Sequence, residues 1–490
     1  MHPPDIPQTI RNWIDGREAQ ASTGETFAKH SPATGQETCR VARSRSADVS
    51  RAIDAAVEAF PAWSAQTPVA RGDILMAVAG AMRRRREDIA AMVAAETGMS
   101  INAALAETGA AVALGEFMAG EGRRLYGRTT TSATPHRHAM TVREPLGVAG
   151  LIIAANTPIA NVAWKVFPAL VCGNTAVLKA AEDAPATAWQ FGRIAHDAGL
   201  PPGVLNIVQG LGAEAGAALV AEARIAVVSF TGSTAVGREI GRVAGARLAR
   251  VSLELGGKNP FVVCDDADLG HAAMWAVLSA FSNAGQRCAA GSRIIVFDAV
   301  YEHFREMLVE RTQRLKVGPG NDDDLGPVIN AKQLGSMVAA VTRARQDGAT
   351  VLTGGHRLTD PGHAAGYYMA PTIIENAAPD AEISVSELFG PVTCLYRVPG
   401  FDEALRLANQ SSYGLTACIH TRSVHRALEF TRRVQAGVAV VNAGTFGSEP
   451  HMPFGGVKFS GNGTREPGTE ALDVYSNLKN VIMTFDPNQA

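Results

Sequence analysis

From residue 146 onward the chain repeatedly sets a short apolar run ahead of a helix-like segment. VAGLIIA, TAVLKA, VLNIVQG, IAVVSFTG and VSLELGG follow one another in this way. Runs of this length suit strands buried on both faces, and strands separated by helices are forced into parallel pairing by right-handed crossovers. The spacing therefore predicts an α/β architecture built on a parallel sheet. The alternation resumes after 259 with NPFVVC, SRIIVFD, the helix-like VYEHFREMLVERTQRLKV, and later PVTCLYRV, ACIHT and VAVVNAG, which predicts a second α/β unit. A length of 490 residues fits this, because it exceeds the size at which one hydrophobic core stops growing. Upstream, 48–120 reads as amphipathic helices: DVSRAIDAAVEAFPAWSAQ, then RGDILMAVAGAMRRRREDIAAMVAAETG, then a third Ala-rich run. The stretch 128–145 and the last 15 residues are polar or alternating, which predicts strands that leave the domain body.

Several function classes are disfavoured. A formal net charge of −2 gives no whole-molecule field for gripping nucleic acid or an acidic membrane. The run Arg83, Arg84, Arg85, Arg86 reads as a solvated helix face. The start, MHPPDIPQTIRNWIDG, lacks a secretory pattern, and no stretch approaches the roughly 20 apolar residues of a membrane span. The six cysteines, Cys39, Cys172, Cys264, Cys288, Cys394 and Cys418, lie far apart with no metal-ligand spacing. The expectation is a reducing, cytoplasmic setting and no metal.

Ligands of parallel α/β sheets bind beyond the carboxyl ends of the strands, so chemistry is sought just after each apolar run. Cys288 lies in SNAGQRCAAGSR, between a helix pattern and a strand pattern, where small neighbours leave room for a substrate and Arg287 could favour the thiolate. A lone cysteine is more often inert packing. Glu254 ends an apolar strand in LELGGKNP, a setting that raises a carboxyl pKa into the range of a general base; its plainer reading is a cap or ion pair. In SFTGSTAVG, Gly232 and Ser233 follow a strand and open a helix, offering N–H groups to a phosphate. The GxGxxG fingerprint is absent there, and GLGAEAG at 210–216 is a near miss better read as a loop or helix start. Asn156, two residues before Pro158, could donate to an oxyanion or serve an ordinary turn. Lys179, Glu182 and Glu387 are charged groups in otherwise apolar surroundings.

Taken together, the segments LELGGKNP, GQRC, SELFGPV and PFGGVKFSG, in this order, resemble the aldehyde dehydrogenase superfamily over nearly the whole chain. The resemblance implies a Rossmann-type parallel-sheet cofactor domain (1–126 and 146–256) and a second α/β catalytic domain (257–465). It also implies a small β oligomerisation flap (127–145 and 466–490) that joins homodimers or homotetramers. It implies Cys288 as nucleophile, Glu254 as base for the deacylating water, and Asn156 with the Cys288 N–H as oxyanion hole. Lys179 and Glu182 would bind the adenosine ribose, Gly232 and Ser233 the pyrophosphate, and Glu387 the nicotinamide ribose, with Phe389 beside the nicotinamide ring. Lys165 and Glu466 resemble a secondary proton-relay pair.

Chemically the set is coherent, since an aldehyde gives up hydride only after a nucleophile adds, and the thioester left behind needs water and a base. The expected reaction is NAD-dependent oxidation of an aldehyde to the acid, without coenzyme A. An acid at Glu182 would repel a 2′-phosphate, so NAD is expected over NADP. Two alternatives use the same residues or the same fold: a cysteine-dependent esterase, and a non-catalytic structural protein. The chain departs from the usual family form at Ala154-Ala155-Asn156-Thr157-Pro158, where the wall is less aromatic, at Ala180 and Ala235, and in NGTREPG, one residue longer before Glu466. Trp164, Asn161, Phe446 and His451 are expected pocket residues. Arg287 or His451 would receive the anionic tail of a semialdehyde, unless Arg287 points into structure.

Overall fold

A computed structural model describes residues 4–489. Five parallel strands run inward from one edge of the first sheet, in the order Arg250–Glu254, Ile225–Thr231, Val148–Ile152, Thr175–Lys179 and Leu205–Val208. Two short antiparallel strands, Asn12–Ile14 and Arg17–Ala19, extend it beyond Leu205–Val208. Val148–Ile152, Thr175–Lys179 and Leu205–Val208 are buried throughout, which is why their sequences are continuous rather than alternating. Helices Pro158–Val171 and Pro185–Asp197 each begin on a proline, whose fixed φ suits a first helical turn and whose missing N–H costs nothing there.

The second sheet repeats the plan. Thr372–Glu375, Val392–Val398, Gly291–Phe297, Asn259–Val263, Thr416–His420 and Val438–Val441 run parallel, with Thr350–Thr353 antiparallel at one edge. A separate antiparallel sheet joins Thr129–Thr130, Arg137–Pro145 and Ser476–Thr484, the last two paired from Ser476 opposite Pro145 to Thr484 opposite Arg137. Among the described residues no helix is long and apolar enough to cross a membrane.

Two features differ from the sequence reading. The run 71–98 is not one helix: Pro68–Arg84 and Arg86–Thr97 are separated at Arg85, which leaves helical geometry at φ −102° and ψ 21°. The arginine run lies on the surface, with Arg83 paired to Glu116, Arg85 to Asp197, and Arg86 donating to the Leu105 carbonyl. Residues 466–475, grouped from sequence with the flap, instead pack into the first body. Glu466 is fully buried, and Ala471, Leu472, Val474 and Tyr475 join the core of Phe167, Leu170 and Leu178. Only Ser476–Thr484 leaves that body as a flap strand.

Candidate functional site

Register explains why residues far apart in the chain meet. In the first sheet Thr231 lies opposite Glu254, Phe230 opposite Ile152, and Ile152 opposite Lys179. The segments that continue to Gly232 and Ser233, to Asn156 and to Glu182 therefore leave the sheet along one carboxyl edge, where ligands of such sheets bind. A cavity of about 320 Å³ opens there, lined by Asn156, Trp164, Gly232, Ser233, Glu254, Cys288, Glu387 and Phe389 among others. A second chamber of about 320 Å³ shares the walls Asn156, Thr157, Ala160, Trp164, Cys288 and Phe454, and is otherwise lined by Glu107, Arg287, Phe446 and Glu449 among others. Cys288 thus stands on the partition between two chambers.

The loop carrying Cys288 is held from several sides. Asn283, Ala284 and Gly285 all have positive φ, at 54°, 52° and 67°, a conformation costly for an alanine and retained only where the surroundings over-determine it. Those surroundings are polar. Asn259 Nδ2 donates to the carbonyls of Cys288 (2.8 Å) and Ala290 (2.9 Å), and Thr445 Oγ1 donates to Ala289 O at 2.6 Å. Gln286 Nε2 donates to Pro327 O (3.2 Å), while its Oε1 accepts from Ile329 N–H at 2.8 Å. Asn156 Nδ2 donates to Gln286 O and Asn283 Nδ2 donates to Asn156 O, both at 3.1 Å. The five other cysteines are buried; Cys288 is half-buried and faces both chambers.

Electrostatics on the partition are set by burial. The Cys288 thiol is pushed up to about 12 by burial, then by the nearby Glu387 and Glu254 charges; the Ala289 N–H and Arg287 pull the other way with less effect. Arg287 favours the thiolate, as the sequence suggests, but burial outweighs it. Glu254 is held well above the ordinary carboxylate range, first by burial and then by Glu466, against Lys165 and Arg465. Neither of its oxygens has a hydrogen-bond partner. Gly455 leaves Oε1 its space, since a Cβ there would stand 2.7 Å away. Glu387 accepts from Gly257 N–H at 2.9 Å and is raised by burial to about 7. Gly256 accommodates this approach, because any side chain there would collide with the Glu387 carboxyl.

Behind Glu254 lies a closed polar network. Lys165 Nζ donates to Glu466 Oε2 (2.9 Å) and Ser229 Oγ (2.7 Å), and Glu466 Oε1 accepts from Ser229 (2.9 Å), Tyr475 (3.0 Å) and Ser252 (3.2 Å) hydroxyls. The extra residue in NGTREPG has not displaced Glu466 from Lys165. At the far end of the edge, Lys179 Nζ is 3.8 Å from Glu182 Oε1, which also accepts from Gly212 N–H. The GLGAEAG segment is a single π-helical turn, Gly212–Gly216, beside that carboxylate.

Of the expected pocket residues, Asn161 and Trp164 line the first cavity and Phe446 the second chamber. Arg287 lines the second chamber, stacked 4.9 Å over the Phe446 ring, with Nε donating to Ser282 Oγ at 3.2 Å. His451 is exposed, near Glu449, and lines neither chamber. Sequence reading missed Gln333 and Glu107. Gln333 sits in a polar helix and Glu107 in an Ala-rich one, and neither segment carries a signal of chemistry.

A buried unpaired acid, a thiol reached from two sides, and a sheet edge that ends at a helix N-terminus suit a reaction in which two ligands meet at one sulfur. Fold and site together define an oxidoreductase of the doubly wound α/β class. Residues 19–481 match the model of the aldehyde dehydrogenase family. An α-ketoglutaric semialdehyde dehydrogenase of Bacillus subtilis is 38% identical over 97% of this chain and 98% of its own length. An α-ketoglutarate semialdehyde dehydrogenase of Haloferax volcanii is 37% identical over 97% and 99%. A crystal structure of betaine aldehyde dehydrogenase from Staphylococcus aureus in complex with NAD+ superposes with a TM-score of 0.95 at 30% identity, covering 98% of this chain and 95% of that one. The chain belongs to the aldehyde dehydrogenase family.

Proposed function

We propose that this enzyme oxidises an aldehyde bearing a carboxylate tail to the corresponding acid, with NAD as acceptor, through a thioester on Cys288. The observation that carries the reading is the position of Cys288 on the partition, with the sheet-edge cavity of Gly232, Ser233 and Glu387 on one side and an arginine-bearing chamber on the other. The residues present fit the nucleotide. Ser233 caps helix Thr234–Gly245 at the cavity, with its Oγ accepting from Val236 N–H at 3.4 Å, and Lys179 and Glu182 stand together at the next-but-one strand end. NAD, when bound, supplies the hydride acceptor. Cys288 adds to the aldehyde carbon as the thiolate, its proton lost to solvent, and the developing oxyanion is held by Asn156 Nδ2 and the Cys288 N–H. After hydride departs a thioester remains, and Glu254 takes the proton of the water that releases the acid. Lys165 and Glu466 act on Glu254 through their charges, Glu466 strengthening and Lys165 weakening its hold on a proton.

Arg287 is the group that receives the tail. Its guanidinium is fixed over Phe446 in the second chamber, so its unused N–H groups present a planar donor to a carboxylate. The two semialdehyde dehydrogenases among the relatives favour the same substrate class. Arg287→Leu is expected to raise KM for carboxylate-bearing aldehydes by roughly 10- to 100-fold, the worth of a charged hydrogen bond, and to spare neutral aldehydes. Equal losses on both classes in steady-state assays would remove the anion site.

Glu182 sets the cofactor preference. Its carboxylate accepts from ribose hydroxyls but repels a 2′-phosphate, so catalytic efficiency with NAD is expected to exceed that with NADP by roughly tenfold or more. Glu182→Ala is expected to narrow the gap; equal efficiencies in the wild type would refute the assignment. The flap strands, with Leu478, Ile482 and Met483 exposed, are the surface on which we place self-association into a homodimer or homotetramer, and the cytoplasm is the proposed compartment.

A further inference from the structure

Helix Pro158–Val171 carries the oxyanion asparagine at its doorstep, yet lacks a cap of its own. Thr157 occupies the N-cap position, but its side chain makes no capping bond; its Oγ1 and carbonyl instead accept from Asn161 Nδ2, at 3.0 and 2.9 Å. The missing acceptor comes from another helix. Glu107, in Ile101–Glu121, accepts through Oε1 from Ile159 N–H at 3.0 Å and Ala160 N–H at 3.1 Å, two orphan donors of the first turn. Glu107 is 9% exposed, and its other oxygen has no partner. Such a residue is expensive to bury, and an ordinary packing role between two Ala-rich helices would be served better by an apolar side chain.

We propose that Glu107 is a positioning residue for the oxyanion hole, fixing the tip of helix Pro158–Val171 so that Asn156 stands at a set distance from Cys288. The linkage is short and polar at every step. Glu107 holds Ile159 and Ala160; Asn156 lies just before the N-cap; its Nδ2 reaches Gln286 O, and its carbonyl accepts from Asn283 Nδ2. The tip is thereby tied both to a rigid helix and to the strained loop of Cys288. What the helix tip takes from Glu107 is an acceptor oxygen, and burial favours its neutral form, pushing it up to about 8 against the Ala160 and Ile159 N–H bonds and, less, Arg287. An amide of the same shape therefore replaces it, while a side chain without an acceptor does not.

This inference rests on the role given above to Asn156, and the test separates the two. Glu107→Gln, Glu107→Met, Asn156→Ala and the double variant Asn156→Ala/Glu107→Met are compared with wild type, with NAD and a protiated or deuterated aldehyde. Methionine fills the space of glutamate, which protects the fold better than alanine would; thermal melting checks that each variant is folded. The expected result is a fall in kcat of about 10- to 100-fold for Glu107→Met, the cost of a misplaced reacting group, with little change in KM and a larger deuterium isotope effect. Glu107→Gln stays near wild type. The double variant is no slower than Asn156→Ala, because a residue that acts through Asn156 has nothing left to position. Full kcat in Glu107→Met, a loss confined to KM, equal losses in Gln and Met, or additive losses in the double variant would each overturn the proposal. An Asn156→Ala enzyme with undiminished kcat would instead overturn the oxyanion role on which it depends.

Discussion

Replacing Cys288 by alanine is expected to abolish aldehyde-dependent NAD reduction, by roughly 10⁴-fold or more, the scale on which loss of a nucleophile costs an acyl-transfer enzyme. The magnitude follows from the geometry. Among the described cysteines only Cys288 lines a chamber, since Cys39, Cys172, Cys264, Cys394 and Cys418 are buried in packing. Among the described residues no other thiol lines either chamber, and an aldehyde without an adduct does not release hydride at a useful rate. Binding of NAD should survive, because the groove is walled by Gly232, Ser233, Glu387 and Phe389 and the change removes one sulfur. Absorbance of the reduced nicotinamide over a panel of aldehydes, with a fluorescence titration of NAD, checks both halves. Residual turnover above about one part in 10³ would show that the sulfur is not the nucleophile.

Glu254→Gln is expected to separate the two halves of the reaction. Acyl-enzyme formation yields a rapid burst of reduced cofactor, and turnover then falls by roughly 10²- to 10⁴-fold, the usual worth of a general base. Mass spectrometry should find the acyl group on Cys288. The pH profile of the wild type follows from the direction of the shift. Burial holds Glu254 protonated well above the ordinary carboxylate range, so the basic form accumulates only as pH rises through that raised value, and the rate of deacylation rises with it. Stability has the opposite sign. The unfolded chain ionises this carboxyl at its ordinary value while the folded chain does not, so folding loses stability as pH rises from below that value up to the raised one. The variant escapes that loss: its melting temperature should match the wild type in acid and exceed it progressively toward neutral and alkaline pH. A steady rate without a burst, or a melting difference independent of pH, would contradict these assignments.

Much of this is legible in the sequence because parallel strands buried on both faces announce themselves, and because ligands of such sheets bind just beyond the strands' carboxyl ends. Glu254, Ser233 and Asn156 each stand just past an apolar run, and the fold gathers them around one cavity. Cys288 was read correctly as a loop residue between a helix and a strand, although the strain at Asn283 and Ala284 that shapes the loop has no sequence signature. The direction of the Arg287 effect on the thiol is legible from chain adjacency, but its small size is not, since adjacency says nothing of burial and burial outweighs that single charge. His451 was misplaced for a related reason: a histidine among pocket-forming neighbours can still point to solvent. Glu107 was invisible, because its partners lie about 50 residues away and an isolated acid in an Ala-rich helix looks like a surface residue. The break at Arg85 was hidden in an uninterrupted run of good helix formers, which propensity alone joins into one helix.

The burial of residues 466–475 in the first body bears on how the chain comes to be folded as it is made. The ribosome delivers the strands of the first sheet by residue 254, yet the core they enclose is closed by Ala471, Leu472, Val474 and Tyr475, and Lys165 waits for Glu466. Until almost the whole polypeptide has emerged, the nascent first half exposes an apolar seam and an unpaired internal cation. Contacts of such sequence separation are slow to form, and intermediates that lack them are prone to aggregate. Synthesis therefore ends on a late lock, in which residues made almost last close a core whose strands were made long before.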